Sequence, residues 1–125
     1  MKDLKSEIKP LNSISPAAHT ATVTGASVDL QGFNAACAVV SAGTVTDGTH
    51  TPKLQESNDN ITFTDVAVGD LHGAFIAVTT GSIQKVGYKG VQRYLRLVST
   101  VAGATVGGQY IGQIILGEAE NEPLI

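Results

Sequence analysis

The sequence predicts an all-β protein, a single antiparallel β-sandwich or jelly-roll-like domain of about eight or nine strands. Hydrophobic residues are 42% of the 125 residues and charged residues only 15%, and the many valines, threonines and glycines favour strands over helices. Short apolar runs recur with Gly, Asp and Asn between them at intervals of about 8–12 residues. Helical character is confined to the first residues, where Pro10 would end any helix.

A chain of this length can bury one hydrophobic core, so a single domain is expected. The joints between the apolar runs carry residues that turns prefer, such as Asp47-Gly48 and the stretch SNDN at 57–60. The runs predicted as strands are residues 19–25, 26–32, 34–43, 49–57, 61–67, 73–80, 83–88, 92–101 and 108–119.

Both ends of the chain are expected to lie outside the sandwich. Residues 1–18 are polar and contain Pro10 and Pro16, which predicts an extended N-terminal arm. Residues 118–125 carry three glutamates, then Pro123 and an apolar end, which predicts a short exposed tail. The sandwich domain is therefore predicted to span residues 19–117.

Alternation along the predicted strands separates core from surface, because successive side chains point to opposite faces. Leu95 and Leu97 must share the core face, so Tyr94 and Arg96 lie on the other face.

The strand predicted at 108–119 is apolar on both faces, since Ile111 and Ile115 lie opposite Ile114. Such a strand is expected to be central in its sheet or covered by a neighbouring subunit.

Half of the basic residues fall within residues 85–96, where tyrosines accompany them. A single-strand nucleic-acid binder combines basic residues with stacking aromatics. However, the net charge is −3, and alternation leaves Arg96 outward while Arg93 lies near the turn at Gly90. A strand whose charges are solvated or paired within the chain, a protein interface and a nucleic-acid patch remain open; the first two are favoured, and no nucleic-acid partner is expected.

No catalytic, cofactor or metal site is predicted. His19, His50 and His72 lack the spacing of metal ligands, and the single Cys37 is expected to be a buried, inert thiol. The acidic loop at 57–60 could offer oxygen ligands to calcium, but it lacks the EF-hand spacing, and a turn explains it more simply. The protein is therefore expected not to be an enzyme.

The first residues lack the apolar segment of a signal peptide. The longest apolar run is far shorter than the ~20 residues that cross a bilayer. A soluble protein made in a reducing cytoplasm, with no membrane partner, is expected.

Two segments of the sequence resemble known motifs. Residues 53–66, KLQESNDNITFTDV, are similar to a strand-turn-strand signature, LQES-DG-TFTDV. Residues 88–105, YKGVQRYLRLVSTVAGAT, are similar to the strand G-x-x-RYLRL-x-x-T-x-x-G-A-T that follows it. Asn60 stands where the signature has glycine, and it still permits a turn with positive φ. Over residues 12–116 the chain thus resembles small all-β head decoration, or cement, proteins of tailed bacteriophages.

The resemblance implies a virion structural protein made in the host cytoplasm, located on the outer surface of the phage head, that stabilises the shell by non-covalent contacts. The implied partners are the major capsid protein and further copies of this chain, as a homo-oligomer. A head-tail connector or tail component is one alternative; a carbohydrate-binding β-sandwich is another, although the chain has no Trp and few aromatic residues. The candidate interface residues are Leu4, Ile8, Leu11, Ile14, Arg93, Tyr94, Arg96, Leu124 and Ile125.

Overall fold

The computed structural model describes residues 3–119, which contain ten strands and one 3-10 turn. The strands are β1 (Ile8–His19), β2 (Val23–Thr24), β3 (Val28–Asp29), β4 (Phe33–Val45), β5 (Thr49–Ser57), β6 (Thr64–Asp65), β7 (Leu71–His72), β8 (Ile83–Tyr88), β9 (Tyr94–Ala102) and β10 (Gly108–Ala119). The 3-10 turn is Val68–Asp70. Residues 3–119 contain no helix long and apolar enough to cross a membrane.

The strands form two antiparallel sheets with the core between them. Sheet A has the order β1-β10-β4-β8-β7, and sheet B has the order β2-β9-β5-β6, with β3 also paired to β9. The first strand pairs with the last, and the chain crosses repeatedly from one sheet to the other. The all-β sandwich predicted from the sequence is confirmed.

The core is built from alternate side chains of the paired strands. On β10, Tyr110, Ile114 and Leu116 are at most 3% exposed, and on β9, Leu95 and Leu97 are at most 1% exposed. Burying one aliphatic side chain of this size stabilises a fold by roughly 1.5–3 kcal/mol. The core positions predicted for β9 by alternation are therefore confirmed.

The predicted N-terminal arm is wrong for residues 8–18, because they form most of β1 and pair with β10. Pro10 and Pro16 are tolerated because β1 is an edge strand, where one side of the backbone needs no ladder hydrogen bond. The sandwich therefore begins at Ile8, and β10 continues to Ala119, beyond the predicted end at 117.

Ser13 joins the two sheets at an irregularity of β1 between Asn12 and Ile14. Its hydroxyl accepts the backbone N–H of Leu97 on β9 at 2.9 Å and donates to the carbonyl of Ala26 at 2.8 Å. The N–H of Ala26 donates in turn to the carbonyl of Ser13 at 2.7 Å. These bonds close one edge of the sandwich.

Residues 73–80, predicted as a strand, are irregular and close the opposite edge. The side-chain amide of Gln84 on β8 pairs with both backbone groups of Ile76, at 2.9 and 3.0 Å. The N–H of Val78 donates to the carbonyl of His50 on β5 at 2.8 Å. Because the segment crosses from sheet A to sheet B, it cannot continue as a strand of either sheet.

The other predicted strands are present, although several are shorter or longer than predicted. The runs at 49–57, 83–88 and 108–119 are confirmed with the predicted bounds. The runs at 19–25, 26–32 and 61–67 each contain a strand of only two residues, because the chain there passes between the sheets and pairs only briefly.

Candidate interaction surface

The outer face of sheet A carries an apolar surface. On β10, Tyr110, Ile114 and Leu116 point into the core, so Ile111 and Ile115 point outward. The neighbouring strands contribute apolar residues that pair in register with this outward set. The sheet A surface, as we name it, consists of Pro10, Cys37, Val39, Ile83, Ile111 and Ile115.

The register makes this surface continuous across four strands. Ile115 is paired with Pro10 on β1 and with Cys37 on β4. Paired residues on one face have Cβ atoms about 4.5–5.5 Å apart, so these side chains are in reach of one another. Ile83 on β8 is 73% exposed, and the other members are exposed or half-buried. No described segment therefore covers the surface completely.

The sheet A surface is nearly free of charge. Among the outward-facing positions of residues 8–12, 35–41, 83–87 and 111–117, Lys85 is the one charged side chain. The polar positions between the apolar ones are neutral, as at Asn12, Ser41 and Gln113. Contiguous apolar surface of this kind is typical of sites where another protein binds.

Cys37 belongs to this surface and is half-buried, whereas the sequence predicted a buried thiol. The prediction failed because β4 is apolar on both faces, so the apolar run around Cys37 did not distinguish core from surface. Burial raises the pKa of the thiol, although the charge of Lys85 acts in the opposite direction. The protonated form therefore dominates at neutral pH.

The outer face of sheet B is polar, and its side chains bind one another. Lys53 and Asp65 form an ion pair at 3.2 Å, and Gln55 donates to Asp65 at 2.9 Å. Arg96 donates to Gln55 at 2.9 Å, and its guanidinium carbon lies 4.0 Å from the ring centroid of Phe63. Arg96, a predicted interface residue, is thus engaged within its own chain.

Arg93 is also bound within the chain. Its guanidinium donates twice to Asp29, at 3.0 and 2.9 Å, and once to Gln31 at 2.6 Å, and it lies 5.1 Å from the ring of Tyr94. The pKa of Asp29 is lowered, chiefly by the hydrogen bond from Arg93. Of the three interpretations of the basic segment, the intramolecular one describes these contacts; a partner contact of Arg93 or Tyr94 stays a prediction.

The predicted interface residues near the N-terminus separate into different environments. Leu4 is 61% exposed, Ile8 is half-buried, and Leu11 packs against the core. Ile14 is 1% exposed within the core, so its assignment to an interface is wrong. Leu124 and Ile125 lie outside the described residues.

A buried hydrogen-bond chain joins three residues that are distant in sequence. The Ser99 hydroxyl lies 2.9 Å from the Tyr110 hydroxyl, which lies 3.0 Å from Nδ1 of His50. The Nε2 atom of His50 lies 3.0 Å from the carbonyl oxygen of Asp47. All three side chains are at most 3% exposed, so a substrate cannot reach them, and they serve to satisfy one another in the core. No spacing in the sequence indicated this group.

The acidic loop at residues 57–60 is organised by hydrogen bonds to its own backbone. Asp59 accepts N–H groups from Ile61 and Thr62 at 2.9 and 3.0 Å, and Asn60 has φ 62°, which confirms the turn predicted at 57–60. The described residues contain no group of three metal-ligating side chains.

Asp47 holds the loop after β9 in the same way. Its carboxylate accepts the N–H groups of Thr105, Val106 and Gly107, the last at 2.7 Å. These backbone hydrogen bonds lower its pKa, and the bond from Gly107 contributes most.

This chain is similar to known proteins in its structure but not in its sequence. No family model and no curated protein matches the sequence. The PBSX exported protein XepA matches all of this chain at 16% identity with a TM-score of 0.61, and the chain spans 42% of XepA. The SPBc2 prophage-derived protein YomS matches 88% of this chain at 12% identity with a TM-score of 0.54, and 92% of YomS is covered. The fold of this chain is therefore one that phage-derived proteins share.

Proposed function

We propose that this protein is a structural protein of a tailed-phage virion and, within that class, a decoration protein that binds the assembled head. The observation that carries the proposal is the sheet A surface, whose apolar side chains lose contact with water when another protein packs on them. The fold shared with XepA and YomS supports the same class, as does the resemblance of residues 53–66 and 88–105.

The strand order is consistent with a shell component. We interpret the pairing of β1 with β10 and of β2 with β9 as a jelly-roll arrangement, which recurs in viral capsid domains. In this role the protein acts by burying area against the shell, and the repetition of many weak contacts supplies avidity. The role requires no catalytic group.

The aromatic side chains do not favour the alternative of a carbohydrate-binding module. Such modules present exposed rings on which sugars stack. The six aromatic residues of this chain are all buried or half-buried.

Particles produced with and without this chain test the proposal. Mass spectrometry of purified particles should find a copy number comparable to that of the major capsid protein. Particles lacking the chain should release DNA at lower temperature, because the shell loses cross-subunit contacts. A small ring-like copy number would indicate the neck or tail instead, and absence from purified particles would refute a virion role.

A further inference from the structure

We propose that the sheet A surface packs against the same surface of a second copy of this chain. The proposal rests on the assembly function proposed above, and it assigns the sheet A surface to the contact between copies, so the dimer would bind the shell through its other surfaces. Three properties of the sheet A surface favour a second copy as its partner: its charge, its area and its shape.

The charge of the surface favours a second copy. A partner that brought carboxylates or several basic groups onto the sheet A surface would bury them without counter-charges, because Lys85 is the one charged residue among its outward-facing positions. A second copy presents an equally neutral face. Lys85 is exposed on β8, beside the short edge strand β7, where it can stay hydrated when the two faces meet.

The area is sufficient for a specific contact. Strands β1, β10 and β4 are 12, 12 and 13 residues long, and β8 adds 6. At about 3.4 Å per residue and about 4.8 Å between strands, their outer face covers roughly 700 Å². Two such faces bury roughly 1,400 Å² in total, which lies within the range of specific protein interfaces.

The shape of the surface suits another sheet. Sheets of the same twist stack with their strands roughly aligned, about 10 Å apart, and their side chains interdigitate. Ile111, Ile115 and Val39 are β-branched residues, as is common on faces that pack in this way. A second copy offers a face of identical twist and spacing, so the contact is isologous.

Sedimentation velocity over a range of protein concentrations measures the self-association. The full chain should approach twice its mass of 12.9 kDa as concentration rises. Ile115→Asp should raise the dimer dissociation constant by at least about 100-fold, because the new carboxylate becomes buried without a partner. Ile83→Asp should act in the same direction, and it endangers folding less because Ile83 is 73% exposed. Thr51→Asp, on the exposed face of sheet B, is the matched control and should leave the association unchanged.

Cys37 provides a second measurement on the unmodified protein. As the single cysteine of the chain and a member of the sheet A surface, it should react with a maleimide more slowly as protein concentration rises. In Ile115→Asp the rate should be independent of concentration. Circular dichroism of each variant verifies that the sandwich is folded.

Four results would overturn the proposal. The first is a protein that stays monomeric and whose Cys37 reacts freely, and the second is a monomer whose Cys37 is protected at every concentration. The third is an oligomer that both Ile115→Asp and Ile83→Asp retain while folded. The fourth is an oligomer that Thr51→Asp disrupts as strongly as the other two variants do. The second result would mean that a segment of the same chain covers the surface. Each concerns the purified protein, so a monomer that still occurs on particles would refute the dimer and leave the virion role intact.

Discussion

The outer faces of the two sheets differ in what their side chains do. On sheet B, Arg96 donates a hydrogen bond to Gln55, and both Gln55 and Lys53 bind Asp65. Phe63 lies against the guanidinium of Arg96. On sheet A, the outward-facing side chains are chiefly aliphatic or neutral, and no described segment covers them completely. A polar strand face can therefore satisfy its own groups, whereas an apolar face needs a second surface to remove it from water.

The largest effect is expected from a charge placed on the inner face instead of the outer face. Ile114 is 0% exposed and is the direct neighbour of Ile115 on β10. Ile114→Asp should abolish the cooperative thermal transition, because a buried unpaired carboxylate costs several kcal/mol of a folding stability of only about 5–15 kcal/mol. Ile115→Asp should keep the transition. If both variants fold equally well, the assignment of the two faces of β10 is incorrect.

A smaller effect is expected from Arg96→Glu on sheet B. The change removes the hydrogen bond to Gln55 and the contact with Phe63, and it adds a negative charge near Asp65. Chemical denaturation should show a loss of about 1–2 kcal/mol in the free energy of unfolding, with self-association unchanged. Thr100→Glu, on an exposed position of the same strand, controls for the added charge. A loss of association in Arg96→Glu alone would show that sheet B carries the interface.

The smallest effect is expected from acid, and it should distinguish stability from association. Hydrogen bonds lower the pKa of Asp29, Asp47 and Asp65 in the folded state. A carboxylate with a lowered folded pKa stabilises the fold above its unfolded pKa of about 4, and this contribution is lost as pH falls through the folded pKa. Melting temperature should therefore decline below about pH 4.

Asp47→Asn is the variant that checks this assignment. It should be less stable than the natural chain at pH 7, and the difference should shrink as the pH falls below the unfolded pKa. Self-association at pH 7 should be the same in Asp47→Asn and in the natural chain, because Asp47 is not part of the sheet A surface. A difference between the two proteins that grows with acid would contradict the assignment.

Alternation alone predicted much of the architecture. It identified Leu95 and Leu97 as core residues, and it showed that Ile111 and Ile115 form a second apolar face. These predictions succeeded because a strand's side chains reverse direction at every residue, whatever surrounds the strand.

The sequence could not reveal contacts that depend on which distant segments become neighbours. The pairing of Gln84 with the backbone of Ile76 replaces a strand with a side-chain bridge, and nothing in residues 73–80 signals it. The prolines of β1 suggested an arm because the position of a strand at a sheet edge is decided by the rest of the fold. The same limit applies to the contact of Arg96 with Phe63, which joins segments that are distant in the sequence.

The Ser13 bridge restricts how copies of this protein can accumulate. A long edge strand with open backbone groups can recruit further strands in the plane of its sheet, which leads to fibres. Here Pro10 and Pro16 lack donors on β1, and the hydroxyl of Ser13 ties the same strand to the second sheet. In-plane growth at β1 is thereby disfavoured, and in the dimer proposed above the stacking of the sheet A surfaces would stop after two copies. Under that proposal the assembly is finite, and the protein would form uniform units instead of an open-ended polymer.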